Sequence, residues 1–396
     1  MPEAGCVYKD YSTDTLRQFH FLLTDECNLR CVYCFHTKHP RTMTAQTMTR
    51  AVDWCLSVCG DEMRIQFFGG EPTLNWPVLS LAVRYGDMRA TEMGKKMGFG
   101  LVTNASTLTA ERAMFCKNNR IGVLLSYDGP HTNDLTRGHT EEVVAGLRNA
   151  LAAGVRASVA MQLPSGHTRF MYENFVAIEE MGFATIAINP VTHCYEPYSD
   201  EDWDNIASGL KRIAEHQYER YATGKGAVYS QFSNQIQSVR RIASQSDWTP
   251  QARDASCGAC KGSMAIDCDG NIIPCHEMPC GSGFDRYIMG NVMDGTYDPS
   301  MRKRFLETRN LEPCKNCPST LCGSCRTTNR WATGDEFEPC LEACIFHLTL
   351  FETAAHLYNR LVADGIMQGR PFVLYRPIEE TIADLRERDA LRRQNS

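Results

Sequence analysis

The feature that most restricts the fold is a regular alternation of strand-like and helix-like segments between residues 17 and 190. Six short runs rich in β-branched and aromatic residues occur there, and each but the last is followed by an amphipathic stretch of helix length. Strands that alternate with helices in this way form βα units around a parallel sheet, whose functional residues gather at the carboxyl ends of the strands. We therefore predict an α/β fold built on a partial (β/α)6 barrel.

The remaining chain divides into three parts. The sequence pattern of residues 199–245 predicts a layer of helices that connects the barrel to the cysteine-rich part. This layer begins with Ser199, three residues before Asp202, in a capping-box arrangement. Residues 257–344 hold eleven cysteines and little apolar periodicity, so we expect metal coordination rather than a conventional core to order them. Helical spacing resumes over Leu341–Leu361, and the charged stretch that closes the chain predicts a solvated helix, with a partner-binding arm as the alternative. The predicted organisation is an N-terminal segment (1–16), the barrel with its helical connector (17–245), a small cysteine-rich domain (250–345) and a C-terminal helical tail (346–396).

Charge and hydropathy exclude several classes of partner. Lys and Arg total 41 against 47 for Asp and Glu, so the chain has no bulk basic field and we expect no nucleic-acid partner. No apolar run reaches the about 18 residues of a membrane span, and the N-terminus lacks the basic and apolar regions of a signal peptide. We therefore expect a cytoplasmic protein without a membrane partner. In a reducing compartment, 19 cysteines indicate metal ligation or redox chemistry rather than disulfides.

The first strand is followed by three cysteines in a C-x3-C-x2-C array: Cys27, Cys31 and Cys34. Three thiolates cannot close a tetrahedral zinc site unless a histidine such as His20, His36 or His39 joins them. In a [4Fe–4S] cluster, by contrast, three thiolates hold three irons and leave the fourth open to another ligand. An iron with an open coordination position can bind a further ligand, as catalysis requires.

The second strand ends in a Gly-Gly-Glu-Pro segment formed by Gly69, Gly70, Glu71 and Pro72. Adjacent glycines let a ligand approach the backbone, and Glu71 can accept hydrogen bonds from a cationic amine. Together with the cysteine array, this segment closely resembles the radical S-adenosylmethionine (radical SAM) superfamily. The resemblance implies that the three cysteines bind a [4Fe–4S] cluster, that SAM chelates the open iron, and that the Gly-Gly-Glu-Pro segment holds the amino group of SAM. It also implies reductive cleavage of SAM to methionine and a 5'-deoxyadenosyl radical, which abstracts a substrate hydrogen, and a low-potential electron donor such as flavodoxin or ferredoxin.

Other strand ends extend the resemblance. It implies that Tyr33 lies near the adenine of SAM, and that Ser126 and Arg137 contact its carboxylate, because an arginine fork matches a carboxylate bidentately. Asn104 and Asp128 can equally be turn formers without a ligand role. The complete set of residues predicted to contact SAM outside the Gly-Gly-Glu-Pro segment is Tyr33, Phe35, Thr103, Asn104, Ser126, Arg137 and Asn189.

The cysteine-rich part resembles the SPASM extension of radical SAM enzymes. It contains a G-x4-C pattern from Gly270 to Cys275, then a run of four cysteines, then a final cysteine. The resemblance implies two auxiliary [4Fe–4S] clusters, although the spacings within the four-cysteine run are shorter than usual, and Cys268, Cys280 or Cys344 could replace an assigned ligand. Two zinc-ribbon sites also fit the spacing alone. The predicted ligands are Cys257, Cys260, Cys275 and Cys325 for one cluster, and Cys314, Cys317, Cys322 and Cys340 for the other.

These resemblances imply a function as well as a set of cofactors. SPASM enzymes mostly act on peptides or proteins, so we expect a radical SAM enzyme that crosslinks, epimerises or oxidises a peptide or protein. The alternatives are a small-molecule substrate, formylglycine formation in sulfatases, and a non-enzymatic iron–sulfur or zinc scaffold. His276 stands where sulfatase maturases carry an Asp base, which counts against formylglycine formation. Because the first strand begins at about residue 17, a leader-peptide-binding domain is expected to be absent or supplied by a separate protein.

Three residues are candidates for acid–base catalysis: His276, Glu277 and His193. His276 and Glu277 directly follow a predicted cluster ligand, and His193 follows the sixth strand at the presumed catalytic edge of the barrel. A histidine that is neutral near pH 7 suits proton transfer. The alternative for each histidine is a structural or solvated role.

Overall fold

The computed structural model describes residues 15–192, 196–245, 257–278, 283–307, 314, 317–319, 322, 324–374 and 376–394. The predicted alternation of strands and helices is confirmed, and the fold is an α/β partial barrel followed by a cysteine-rich region and C-terminal helices. The six barrel strands are β1 (Leu16–Leu22), β2 (Cys59–Phe68), β3 (Lys96–Thr103), β4 (Gly122–Ser126), β5 (Ala157–Leu163) and β6 (Thr185–Pro190). The helices between them are α1 (Ala45–Val58), α2 (Trp76–Glu92), α3 (Ala110–Asn118), α4 (Asn133–Thr136), α5 (Thr140–Ala153) and α6 (Met171–Glu180).

The helical connector follows β6. The Ser199 hydroxyl accepts a hydrogen bond from the backbone N–H of Asp202 at 3.1 Å, and the Asp202 carboxylate accepts one from the N–H of Ser199 at 3.0 Å. This is the predicted capping box, and it fixes where the first connector helix begins. The connector consists of α7 (Asp200–Thr223), a short strand β7 (Val228–Tyr229) that pairs with β6, and α8 (Ser230–Ala243).

The C-terminal part combines very short strands with helices. Its final helix buries only Ile378 among the described residues, which agrees with the predicted solvated helix. Among the described residues, no helix is both long and apolar enough to cross a membrane. The elements are β8 (Ser263–Ile266), β9 (Ile272–Ile273), β10 (Gly290–Asn291), β11 (Thr296–Tyr297), α9 (Pro299–Leu306), α10 (Arg326–Thr333), α11 (Leu341–Ala363) and α12 (Ile378–Gln394).

One sheet joins the barrel to the cysteine-rich region. Its strand order is β7-β6-β5-β4-β3-β2-β1-β8-β9, and β8 pairs in parallel with β1. Met264, Ile266 and Ile272 are fully buried and belong to the main hydrophobic core. The expectation that the cysteine-rich segment has no conventional core is therefore wrong for β8 and β9. Strands of four and two residues are too short to show the period-2 pattern from which a strand is predicted.

The two faces of the barrel sheet differ in character. Alternate residues of β2, such as Ile65 and Phe67, are fully buried beneath the helices, as are Leu101 of β3 and Leu125 of β4. The residues between them point to the opposite face, because side chains alternate along a strand. That opposite face is the inside of the barrel, towards which the strand ends and their functional residues converge.

We expect the barrel to depend on β8 for its stability. A chain that ends after residue 245 loses the hydrogen-bonded neighbour of β1 and exposes an apolar sheet edge, so it should aggregate and melt at a clearly lower temperature. A chain that ends after residue 374 is the control, because it loses only α12 and should lose at most about 3 kcal/mol of unfolding free energy. Thermal unfolding followed by circular dichroism distinguishes them, and equal melting temperatures would refute this dependence.

Candidate active site

The three cysteines of the first array lie on the loop between β1 and α1. Cys27 and Cys31 are half-buried and Cys34 is exposed, while the buried side chain of Leu29 anchors the loop in the core. Burial raises the pKa of Cys27 and of Cys31, so holding these two thiols as thiolates requires a bound cation. Soft thiolate ligands on a partly open loop fit the [4Fe–4S] cluster that the resemblance implies.

The base of this loop is held by Asp25. Its carboxylate contacts His36 Nε2 at 3.1 Å and Arg41 Nε at 2.6 Å. Burial raises the pKa of Asp25, but the hydrogen bond from His36 and the charge of Arg41 outweigh this and lower it. Arg41 also pairs with Asp269, in the turn between β8 and β9, at 2.9 Å. The cysteine loop is therefore attached to both the barrel and the cysteine-rich region, and His36 is engaged by Asp25.

The Gly-Gly-Glu-Pro segment packs directly against the backbone that precedes Cys27. The N–H of Gly70 donates to the carbonyl of Thr24 at 2.7 Å, and the N–H of Glu71 donates to the carbonyl of Glu26 at 2.8 Å. A Cβ on Gly70 would lie 2.2 Å from the Glu26 oxygen, and one on Gly69 would lie 2.4 Å from the Thr24 oxygen. The two glycines thus allow two backbones of the chain itself to approach closely, in addition to the ligand approach expected from the sequence.

The Glu71 carboxylate joins the ends of β2 and β3. It is 1% exposed, and its Oε1 accepts hydrogen bonds from the Thr73 N–H at 3.0 Å and from the hydroxyls of Thr73 and Thr103 at 2.6 and 2.7 Å. Its Oε2 accepts from the N–H of Asn104 at 2.7 Å. Burial raises the pKa of Glu71, against the effect of these hydrogen bonds. Because Asn104 Nδ2 is also 3.8 Å from Cys27 Sγ, the structure brings Cys27, Glu71, Thr103 and Asn104 together, beside Pro72 at the start of a short 3-10 turn.

A second buried group lies at the end of β4. The Tyr33 hydroxyl donates to Asp128 Oδ2 at 2.5 Å, and Arg137 Nε lies 3.0 Å from Asp128 Oδ1. Burial lowers the pKa of Arg137, but the charge of Asp128 outweighs it and raises that pKa. Asp128, for which the sequence left a simple turn-forming role open, is fully buried and central to this group. Arg137 therefore already has a carboxylate partner within the chain, and Ser126 lies half-buried just before Asp128.

The remaining predicted SAM contacts are more dispersed. The Phe35 ring centroid lies 5.5 Å from that of Trp331 in α10, so the cysteine loop contacts the cysteine-rich region there as well. The Asn189 side-chain oxygen accepts a hydrogen bond from Gln231 Nε2 of α8 at 3.1 Å. His193, with its neighbour Cys194, lies outside the described residues, so its catalytic role stays a prediction.

Three of the four cysteines in the first predicted auxiliary set lie near Glu277. Cys325 Sγ lies 3.5 Å from Glu277 Oε2. Burial raises the pKa of Cys257, Cys275 and Cys325, and the nearby Glu277 carboxylate raises each further. Cys260 is fully buried, and its backbone carbonyl accepts a hydrogen bond from Arg302 at 2.8 Å. Among the described residues, no three His, Cys, Asp or Glu side chains converge on a site for a single metal ion.

In the second predicted set, a cysteine outside the assigned ligands is well placed. Burial raises the pKa of Cys344 well above its ordinary value, and neighbouring Cys322, Cys314 and Cys317 add to this effect. The assigned Cys340 instead contacts the Thr192 carbonyl at 3.6 Å and Glu342 Oε2 at 3.3 Å. The N–H of Cys344 donates to the carbonyl of Cys340, which places the two cysteines one helical turn apart. This i, i+4 spacing at a helix start is the sequence signal that makes Cys344 an equal candidate.

The two adjacent catalytic candidates face different surroundings. The His276 ring enters the barrel, with its centroid 4.2 Å from the ring of His20 and 4.3 Å from that of Phe68. Burial lowers the pKa of His276, so the ring is neutral near pH 7. Glu277 turns towards the cysteines, with 4.0 Å between its Oε1 and His276 Nε2. His20, considered from the sequence only as a zinc ligand, is thus a barrel residue beside the predicted base.

Comparisons with known proteins agree with this geometry. Residues 21–177 match the radical SAM superfamily model. The chain is 22% identical to the cysteine-type anaerobic sulfatase-maturating enzyme of Clostridium perfringens, over 76% of this chain and 86% of that protein. It is 24% identical to the mycofactocin maturase MftC of Mycobacterium ulcerans, over 87% and 84% of the two chains. Two further curated relatives align over only 43% and 30% of their own lengths, so the chain spans less than half of each.

The fold matches a solved structure over most of its length. Native anSMEcpe with bound AdoMet and Cp18Cys peptide superposes with a TM-score of 0.71 at 21% identity, covering 88% of this chain and 99% of that one. At this identity the match establishes the fold. The chain therefore carries a radical SAM domain. The match to the radical SAM model spans residues 21–177, and the chain continues into a cysteine-rich region.

We predict that Glu71→Gln destabilises the protein by about 1–3 kcal/mol, because the new amide would present a donor to one of the N–H and hydroxyl groups that the carboxylate now accepts from. Urea unfolding measures this change. Glu180→Gln, at an exposed position near the end of α6, is the control and should stay within about 0.5 kcal/mol of the native protein. An equal effect of the two substitutions would contradict the role assigned to the Glu71 carboxylate.

The choice between Cys340 and Cys344 can be tested by iron content. If Cys344 is the ligand, Cys344→Ala should lower the iron and sulfide bound per chain and alter the Mössbauer spectrum of the reconstituted protein, while Cys340→Ala should leave both nearly unchanged. The reverse pattern would restore Cys340 as the ligand. Cys116→Ala, in the core of α3, is the matched control for the loss of a buried thiol.

Proposed function

We propose that the chain is a radical SAM enzyme that abstracts a hydrogen atom from a peptide or protein substrate and thereby modifies it after translation. The observation that carries this proposal is the convergence of the cysteine loop, the Glu71 carboxylate and the Tyr33–Asp128–Arg137 group at the carboxyl ends of β1 to β4. The attached cysteine-rich region supports a macromolecular substrate, because the similar anSMEcpe structure contains a bound peptide. The similarity to a mycofactocin maturase also supports a peptide or protein substrate.

In this proposal each part of the site has a role. Cys27, Cys31 and Cys34 bind the catalytic [4Fe–4S] cluster, and the Gly-Gly-Glu-Pro segment holds the SAM amino group. Bound together, the cluster and SAM supply a 5'-deoxyadenosyl radical that can remove a hydrogen atom. Arg137 orients the SAM carboxylate while it remains paired with Asp128, which fixes the plane of the guanidinium.

The cysteine-rich region has a proposed role of its own. Its two cysteine sets bind the auxiliary clusters, and His276 receives the substrate proton inside the barrel. The proposed domains are the barrel with its connector (17–245) and the cluster-binding region (250–345). The proposed partners are a peptide or protein substrate, a flavodoxin or ferredoxin as electron donor, and a separate leader-binding protein where the substrate carries a leader.

Formylglycine formation is the second candidate, favoured by the similarity to a sulfatase-maturating enzyme over most of the chain. His276 occupies the position at which the resemblance implies an aspartate base. The neutral imidazole of His276 lies in a largely apolar contact with Phe68. Such an imidazole removes a proton from a thiol more readily than from a hydroxyl, because the thiol is the more acidic group. A cysteine-containing sulfatase peptide is therefore the appropriate substrate with which to test this candidate.

The decisive experiment measures 5'-deoxyadenosine released by the anaerobically reconstituted, reduced protein with SAM. Host extract is supplied as a peptide-and-protein fraction or as a small-molecule fraction. We expect only the macromolecular fraction to stimulate release, and mass spectrometry of that fraction should then reveal the modified target. The triple variant Cys27→Ala, Cys31→Ala and Cys34→Ala is the control, and it should release none while retaining iron in the auxiliary sites.

The other outcomes separate the alternatives. Stimulation by the small-molecule fraction alone would move the function to metabolite chemistry. Conversion of a sulfatase-derived cysteine peptide to its aldehyde would establish formylglycine formation. No release under any condition, with all clusters loaded, would favour a scaffold without SAM chemistry.

A further inference from the structure

Asn104 lies between Cys27 of the cysteine loop and Glu71 of the Gly-Gly-Glu-Pro segment. It directly follows β3 and is only 7% exposed. Its backbone N–H donates to Glu71 Oε2 at 2.7 Å, and its side-chain Nδ2 lies 3.8 Å from Cys27 Sγ. The bond to Glu71 belongs to the backbone, so only the contact with Cys27 depends on the identity of the side chain.

A neighbouring backbone group determines which end of the Asn104 amide faces Cys27. Asn104 Oδ1 accepts a hydrogen bond from the backbone N–H of Ser106 at 3.0 Å. A backbone N–H can only donate, so the atom that it meets is the amide oxygen, and the NH2 group lies on the other side. On that side are Asn28 Oδ1, at 3.0 Å, and Cys27 Sγ. Asn104 is therefore a hydrogen-bond donor towards Cys27.

The amide is held in this orientation by a closed ring of three side chains. Asn104 Nδ2 donates to Asn28 Oδ1, Asn28 Nδ2 donates to Ser106 Oγ at 2.8 Å, and Ser106 Oγ donates to Asn104 Oδ1 at 2.6 Å. Each side chain donates once and accepts once, so the three directions are mutually consistent. Together with the Ser106 N–H, the ring occupies both lone pairs of the Asn104 oxygen and one of its two side-chain N–H groups. The second N–H is left for Cys27, and no polar atom of the side chain remains for SAM.

Cys27 receives a second donor from its own loop. The backbone N–H of Leu29 lies 3.4 Å from Cys27 Sγ, and the buried Leu29 side chain fixes this turn in the core. Cys34 Sγ instead faces the carbonyl oxygen of His36 at 3.8 Å, and a carbonyl is an acceptor. Of these two sulfurs, only that of Cys27 is contacted by N–H donors in the described part of the chain.

From these contacts we infer that Asn104 is a positioning residue of the catalytic cluster, and that its amide N–H raises the reduction potential of the cluster through a hydrogen bond to the Cys27 thiolate. The inference rests on the proposed function, in which Cys27 binds this cluster. It assigns Asn104 to the cluster, whereas the resemblance implied a contact with SAM.

The physical reason is the charge that reduction adds. One electron passes from the flavodoxin or ferredoxin donor to the cluster, no bond is broken, and the negative charge shared by the irons and thiolates increases by one unit. A hydrogen bond to a charged sulfur strengthens as that charge grows, so the N–H group stabilises the reduced form more than the oxidised form. Hydrogen bonds to the sulfurs are among the factors that set the potential of an iron–sulfur cluster. Loss of the donor should consequently lower the potential.

A redox titration followed by electron paramagnetic resonance tests this inference on the anaerobically reconstituted protein. The signal of the catalytic cluster is the one missing from the triple variant Cys27→Ala, Cys31→Ala and Cys34→Ala. In Asn104→Ala, the backbone bond to Glu71 is retained and the side-chain donor to Cys27 is lost. We expect the equilibrium constant for reduction to fall about tenfold, which is about 59 mV for a one-electron couple.

Two further variants make the result specific. Asn149→Ala in α5 loses a side-chain hydrogen bond of 2.9 Å to the Leu108 carbonyl, and it is the control that should keep the native potential. Ser106→Ala leaves the Asn104 side chain in place but opens the ring that orients it, so we expect a fall of about threefold. This variant decides the question if Asn104→Ala does not retain iron. Iron content and circular dichroism show whether each variant is loaded and folded.

The possible results separate this inference from the proposed function. A potential in Asn104→Ala that matches Asn149→Ala overturns the inference, as does an unchanged potential in Ser106→Ala where Asn104→Ala lacks iron. A loss of SAM affinity of about tenfold in Asn104→Ala, measured by equilibrium dialysis, also overturns it, because we expect a change below about threefold. If the triple cysteine variant keeps every signal, Cys27 holds no cluster, and the proposed function fails together with the inference. If that variant loses a signal but the potentials agree, only the inference fails.

Discussion

The site depends on two backbone hydrogen bonds between the end of β2 and the segment before Cys27. The N–H groups of Gly70 and Glu71 donate to Thr24 and Glu26, and the neighbouring glycines leave no side chain between the two backbones. This contact fixes where the cysteine loop leaves the sheet. It also directs the Glu71 carboxylate towards β3, where it accepts hydrogen bonds from Thr103 and Asn104. Three strand ends are thereby held together by contacts within the chain itself.

Much of this architecture could be predicted from the sequence, because its signals are local. The strands and helices of the barrel carry clear periodic patterns of apolar residues. The capping residues Ser199 and Asp202 mark where α7 begins. The cysteine array and the Gly-Gly-Glu-Pro segment follow strands directly, so their meeting at one sheet edge follows from parallel topology alone. The radical SAM assignment of the barrel depends on the same local motifs, and the match to the family model confirms it.

What the sequence could not supply are contacts between residues far apart in the chain. Asp128 resembles an ordinary turn residue until Tyr33 and Arg137 are seen beside it. His20 lies in an apolar strand, and only the fold shows that its ring meets His276, 256 positions later in the numbering. Strand β8 is too short for a periodic signal, and its place beside β1 is a tertiary fact. Spacing patterns record local geometry, whereas these contacts depend on the complete sheet.

The pairing of β1 with β8 has a consequence for how the molecule is made. β1 emerges from the ribosome well before β8, its partner on one side, which begins only at Ser263. Until then, the open side of β1 offers unpaired backbone groups and adjacent apolar side chains such as Phe19 and Phe21. Contacts of such long sequence separation form slowly, and the exposed edge can pair with other chains in the meantime. Biogenesis of this protein should therefore benefit from chaperones that shield the nascent barrel, and recombinant yield should improve when translation is slowed or the chaperone supply is increased.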